Sequence, residues 1–130
     1  MSTREPRVPT GAVTVLAWLV SVGILVQAFL AGQGWFVSPG LMTLHGGVGH
    51  GVLLLAVVTA AAAWLAARRG PALLGTLVVL GLVGQTGLGY AGRRAGVELA
   101  SSLHVPLGVS LFGASVAVAV WATVGRPTAR

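Results

Sequence analysis

Four long apolar segments separated by short polar ones limit the folds that this chain can adopt. Only 8% of its 130 residues are charged, and its mean hydropathy is +0.92. A soluble domain has about a quarter of its residues charged, and about 20 apolar residues suffice for a helix to cross a membrane. We therefore predict an all-α fold, an integral membrane four-helix bundle in one domain over residues 10–124. The predicted helices are about 10–31, 41–67, 71–91 and 101–124.

The short polar segments predict how these helices are connected. Arginines and glycine at 68–70 followed by Pro71 are typical of a helix end, a tight turn and a new helix start. Residues 32–40 and 92–100 are predicted loops at the opposite side, and one of the serines at 101–102 is predicted to cap the fourth helix. The second and third helices are therefore expected to be antiparallel neighbours.

The arginines predict the orientation. Six of the eight lie in the polar tails 1–9 and 125–130 or at 68–69, and loops rich in arginine usually stay in the cytoplasm. Both termini are therefore predicted to be cytoplasmic. The chain has no lysine beside abundant alanine, valine, glycine and arginine, a composition that points to a bacterium and hence to a multi-pass protein of its plasma membrane.

A short pattern occurs twice in the chain. Residues 44–49 read Leu-His-x-x-x-Gly, and residues 103–108 repeat this pattern. Gln27 precedes the first histidine by 18 residues, and Gln85 precedes the second by 19. We therefore expect two similar helical hairpins, related by a pseudo-twofold axis along the membrane normal.

Under this symmetry, the two repeated histidines lie at matching depth and face each other. Histidines inside membrane helices usually face the protein interior, and a neutral imidazole nitrogen is an axial ligand of haem iron. His45 and His104 are therefore predicted to hold one haem b. Gly49 and Gly108, one turn further along, are predicted to leave room for the flat macrocycle. Hydrogen bonding between helices and close helix packing are the alternatives for the histidines and for the glycines.

Several further polar residues have more than one interpretation. His50 lies about 140° around the helix from His45, so it is an alternative ligand, a proton carrier or a hydrogen-bonded packing residue. Gln27 and Gln85 are predicted either to bond the haem edge or to orient a histidine, with bonding between helices as the alternative.

Three more groups of residues complete the predictions. Arg93 and Arg94 are predicted to bind the haem propionates, or else to form a solvated loop with Glu98. The glycines at 81, 84 and 87 are assigned to helix packing, which the Gly-x-x-x-Gly pattern at 47–51 also fits.

The motif Gln85-x-x-Leu-Gly on one helix with His104 on the next, together with His45 and Gly49, resembles one four-helix half of haem A synthase. It is also similar to uncharacterised bacterial four-helix membrane proteins with the same pattern. The resemblance covers roughly residues 12–123 and implies that His45 and His104 ligate a b-type haem. The chain differs from that enzyme in having one half, no cysteine, and Met42 where the family has an acidic residue.

These patterns favour some functions and exclude others. Without cysteine there are no disulfides, iron–sulfur clusters or covalently attached haem, and no carboxylate pair or phosphate loop is present. We expect a haem protein for electron transfer or quinone-linked redox chemistry, and any enzymatic activity would be that of a haem-dependent oxidoreductase. The alternative is a cofactor-free scaffold or accessory subunit. Expected partners are membrane lipid, a quinone or a redox protein, and a second copy of the chain, but no nucleic acid.

Overall fold

A computed structural model describes residues 8–125, which form four helices and no strand. The helices are α1 (Thr10–Phe36), α2 (Leu41–Leu65), α3 (Arg69–Ala95) and α4 (Glu98–Val124). Each is long and apolar enough to cross a membrane. The all-helical class and the four helices are therefore confirmed. Most of the two predicted tails, residues 1–7 and 126–130, lies outside the described residues.

The helices form a closed antiparallel bundle. Contacts join α1 to α2, α2 to α3, α3 to α4 and α4 to α1, whereas α1 and α3, like α2 and α4, lie diagonally opposite without backbone contact. The turns before α2 and before α4 lie at one end, which also carries His45 and His104. We call it the histidine end, and the end with the α2–α3 turn the opposite end.

At the histidine end the helices are longer than predicted. α1 continues to Phe36, five residues beyond its predicted end, through two glycines that suggested a loop. Gly34 is needed there, because a Cβ atom would lie 2.9 Å from the backbone nitrogen of Met42. A helical backbone also keeps its polar groups hydrogen-bonded, which an apolar surrounding requires.

The second loop at this end is also shorter than predicted. α3 extends to Ala95, and Gly96, with a φ of 66°, ends it in the left-handed conformation that glycine adopts easily. α4 then begins at Glu98 without a side-chain cap, so the predicted cap by Ser101 or Ser102 is wrong. An acidic residue in the first turn is favourable at a helix N-terminus, which helps to explain this earlier start.

The turn at the opposite end lies close to its predicted position. α2 ends at Leu65, and Ala67 adopts a φ of 56°, a conformation that residues other than glycine rarely adopt. α3 begins at Arg69, two residues before the predicted start. Pro71 therefore lies within the first helical turn, where its missing N–H is not needed.

Small residues bring the helices together in the half of the bundle nearer the opposite end. A Cβ atom on Gly75 of α3 would lie only 3.7 Å from Ala60 of α2, and the Thr14 hydroxyl of α1 donates to the carbonyl of Ala122 on α4, at 3.0 Å. The buried residues of this part are mostly alanines: Ala62, Ala63, Ala66, Ala72 and Ala122, with Val13. Large apolar side chains instead cover the outside of the bundle.

The predicted packing role of the glycines on α3 is correct for one of three. Gly81 packs directly against Leu111 of α4. Gly84 and Gly87 are exposed, and a Cβ atom on either would meet nothing within 4 Å among the described residues, as is true of Gly47 and Gly51 on α2. These four glycines therefore do not bring helices of this chain together.

We expect Ala67→Gly to raise the free energy of unfolding by up to about 1 kcal/mol, because glycine adopts a positive φ without the steric cost that alanine has. Gly96→Ala, the reverse change at the other positive φ, is expected to lower it by a similar amount. Thermal or denaturant unfolding in detergent, followed by circular dichroism, measures both. A destabilised Ala67→Gly protein would contradict this account of the turn.

Candidate functional site

Two histidines face each other across the bundle. His45 on α2 and His104 on α4 belong to diagonally opposite helices, and the centroids of their rings are 6.3 Å apart with the ring planes at 64°. Both side chains are half-buried. His45 lies four residues after the start of its helix and His104 six residues after, so both are within about 9 Å of the histidine end.

Each histidine is held by a carbonyl group of the neighbouring helix. Nδ1 of His45 lies 3.0 Å from the backbone oxygen of Gln27, and Nδ1 of His104 lies 3.0 Å from that of Gln85. A carbonyl oxygen only accepts, so Nδ1 must be the protonated nitrogen in both rings. In the neutral ring Nε2 then keeps its lone pair, which is the form in which an imidazole binds a metal.

The glutamine side chains lie beside the histidines but are only partly hydrogen-bonded. Nε2 of Gln85 donates to the backbone oxygen of His104 at 2.8 Å. Within residues 8–125, Nε2 of Gln27 and Oε1 of Gln85 are buried without a hydrogen-bond partner. A buried polar atom without a partner costs on the order of 1–3 kcal/mol, so one free donor and one free acceptor at this site are notable.

The two glycines of the repeated pattern lie directly against these glutamines. A Cβ atom on Gly49 would lie 3.1 Å from Oε1 of Gln27, and one on Gly108 would lie 2.9 Å from Nε2 of Gln85. Glycine at these positions thus makes room for the glutamine side chains. Its role as a seat for a flat macrocycle stays a prediction.

Gly89, the last residue of the Gln85-x-x-Leu-Gly motif, is a site residue for which the sequence predicts no role of its own. A Cβ atom at this position would lie 3.1 Å from Cε1 of His104, so the absence of a side chain sets where that ring can lie. Its place one helical turn after Gln85 is the signal that could have identified it, because residues four apart share a helix face.

The third histidine lies elsewhere. His50 is exposed on α2, donates from Nδ1 to the backbone oxygen of Gly46 at 2.8 Å, and accepts from the Tyr90 hydroxyl of α3 at 3.2 Å. No three His, Cys, Asp or Glu side chains form a metal-binding group within the described part of the chain, so His50 does not join the other two histidines.

The two arginines at the histidine end accompany His50. Arg93 donates to the backbone oxygen of Met42 at 3.3 Å, and the guanidinium carbon of Arg94 lies 4.8 Å from the centroid of the Tyr90 ring. Both border an open groove between α2 and α3 that is also lined by His50.

Comparison of the chain with protein-family models, with curated proteins and with solved structures found no match.

The hydrogen bonds predict one tautomer for all three histidines. In the deprotonated state, we expect His45, His50 and His104 to carry the proton on Nδ1, because in each ring that nitrogen faces a carbonyl oxygen. Nitrogen-15 NMR of the purified protein in detergent, with signals assigned from single His→Gln variants, measures this. A proton on Nε2 of His45 or His104 would contradict the arrangement described here.

Proposed function

We propose that this chain is a multi-pass protein of a bacterial plasma membrane, with both termini cytoplasmic, that holds one haem b between His45 and His104. The haem lies near the outer leaflet and serves electron transfer or quinone-linked redox chemistry. One observation carries the proposal: two imidazoles on opposite helices face each other, and Nδ1 of each lies at hydrogen-bond distance from a carbonyl oxygen, which leaves Nε2 available to a metal.

The separation of the two rings fits a shared metal. A bond between a metal and an imidazole nitrogen is about 2 Å long, so two imidazoles that share one metal would have centroids up to about 6 Å apart. The observed separation is 6.3 Å. Two protein ligands are too few for a zinc or copper site, whereas haem brings four nitrogens of its own and would need only His45 and His104 from the protein.

The surrounding residues have roles that suit this cofactor. When bound, the haem supplies one-electron redox chemistry. The carbonyl groups of Gln27 and Gln85 orient the imidazoles and raise their basicity, as the hydrogen-bond partners of metal-bound histidines usually do. The unpartnered Nε2 of Gln27 and Oε1 of Gln85 provide one donor and one acceptor for the cofactor edge. Arg93 and Arg94 remain the proposed partners of the propionates.

The proposal includes a bundle built from two similar hairpins. Three pairs of corresponding contacts support it. The carbonyl–histidine bonds of Gln27 and Gln85 have the same length, and Gly49 and Gly108 both face a glutamine. The third pair lies deeper, where Gly23 packs on Val52 and Gly81 on Leu111.

Loss of either facing histidine is expected to remove the haem. We predict that the purified wild type, expressed with ample haem, gives a low-spin b-type difference spectrum between reduced and oxidised forms. His45→Ala and His104→Ala should lose this signal, whereas His50→Ala should keep it, because His50 lies apart from the pair. A folded, helical but colourless wild type would overturn the proposal.

A single added methyl group on α3 provides a finer test. Gly89→Ala is expected to weaken haem binding by about tenfold or more, since its Cβ would lie 3.1 Å from Cε1 of His104 and displace the ring. Gly87→Ala is the matched control, because a Cβ there meets nothing within 4 Å among the described residues. Haem titration of the two haem-free proteins compares them, and equal affinities would contradict a ligand role for His104.

A cofactor-free scaffold or accessory subunit is the second candidate. The observation that favours it is the set of exposed glycines on α2 and α3, Gly47, Gly51, Gly84 and Gly87. Small exposed residues allow close approach of a helix from another membrane protein or from a second copy of the chain. A scaffold would be colourless and would tolerate alanine at both facing histidines.

A further inference from the structure

The groove between α2 and α3 is a second polar site, which shares Arg93 and Arg94 with the proposed haem site but contains neither of the facing histidines. It has a volume of about 460 Å³, within the range of about 300–1,000 Å³ common for small-molecule sites. Its lining residues are Thr43, Gly46, Gly47 and His50 of α2, and Tyr90, Arg93 and Arg94 of α3. It opens to the side of the bundle, because most of these residues are exposed.

His50 and Tyr90 form a polar pair in this groove, within the segments that are long and apolar enough to cross a membrane. His50 is nine residues from the start of α2, or about 13 Å along the helix. Ionisable residues within membrane helices are costly and usually mark function. The other repeat has Val109 in the position of His50, so the pair is not part of the duplicated pattern that supports the facing histidines.

The hydrogen bonds of this pair run in one direction. Nδ1 of His50 faces the carbonyl oxygen of Gly46 and donates to it, so in the neutral ring Nε2 accepts the hydrogen bond of the Tyr90 hydroxyl, at 3.2 Å. The hydroxyl hydrogen of Tyr90 is then already in a hydrogen bond, so the Tyr90 oxygen can only accept a further one. Tyr90 can therefore accept a hydrogen bond from the hydroxyl group of a ligand in this groove.

The remaining lining residues favour an aromatic ligand. A Cβ atom on Gly46 or Gly47 would meet nothing within 4 Å among the described residues, which leaves a flat floor. Arginine planes stack on aromatic faces, and Arg94 already lies over Tyr90, 4.8 Å from the ring centroid. Positive charge at the rim also favours an acidic hydroxyl such as a phenol over an aliphatic alcohol.

We infer that this groove binds a lipid-soluble quinol, whose phenolic hydroxyl donates to the oxygen of Tyr90 while His50 accepts from Tyr90. The ring lies over Gly46 and Gly47 beneath the two arginines. This quinol is the reduced form of the quinone in the proposed redox function. It rests on that function for its purpose, but binding itself requires no haem.

The test is equilibrium binding of duroquinol and duroquinone to the full chain in lipid nanodiscs, with empty nanodiscs as the blank. Duroquinol is kept reduced by excess dithionite without oxygen. We expect saturable binding of duroquinol that weakens about fivefold in Tyr90→Phe, which removes only the hydroxyl, since one hydrogen bond contributes about 1 kcal/mol. His50→Val, which introduces the residue of the other repeat, should weaken it similarly. Duroquinone should bind more weakly than duroquinol and be insensitive to Tyr90→Phe.

The control variant is Thr123→Val, which removes a hydroxyl at the opposite end and should leave binding unchanged. Three results would overturn the inference: equal affinity of wild type and Tyr90→Phe, equal affinity for quinone and quinol, or displacement of duroquinol by decanol at matching concentration. The visible spectrum of the same samples reports haem separately. A colourless protein that binds duroquinol would refute the haem proposal alone, and a red protein that does not bind would refute the quinol site alone.

Discussion

The hydrogen bond from a histidine Nδ1 to a carbonyl group of the neighbouring helix is the interaction on which the histidine end depends. In apolar surroundings a polar side chain must find a partner, and each facing histidine finds it across a helix interface. The bond therefore joins two helices and at the same time fixes the ring. His50 makes the corresponding bond to its own helix, at Gly46, and so leaves its ring free to contact Tyr90.

The two ends of the bundle contain different types of residue in their interiors. Toward the opposite end, alanines and Gly75 let the backbones approach closely, and polar side chains such as Thr14 and Arg68 donate to backbone oxygens of α4. Toward the histidine end, glutamines and histidines occupy the interior, and glycines adjust the space around them. Close packing in one half keeps the four helices in a fixed arrangement, which lets side chains in the other half be positioned across a diagonal of the bundle.

Much of the architecture could be predicted from the sequence, because apolar length alone identifies helices that can cross a membrane. The repeated pattern predicts that His45 and His104 face each other, as they do, but each histidine contacts the backbone oxygen of its glutamine and not the glutamine side chain. Helix ends were less predictable: glycine usually suggests a loop, but Gly34 lies within α1 because α2 starts directly against it. The contact between His50 and Tyr90 was not predictable, since it joins residues 40 apart on different helices.

The placement of charge at the histidine end has a consequence for how the molecule meets its surroundings. Between α2 and α3 this end presents Arg93, Arg94 and His50. The positions of the first repeat that correspond to Arg93 and Arg94 are Trp35 and Phe36, at the end of α1. These two side chains are 76% and 85% exposed. At the histidine end, the surface between α2 and α3 is therefore cationic, and the end of α1 is aromatic. A ligand or partner protein that approaches this end therefore meets a cationic or an aromatic surface, depending on which helices it contacts first.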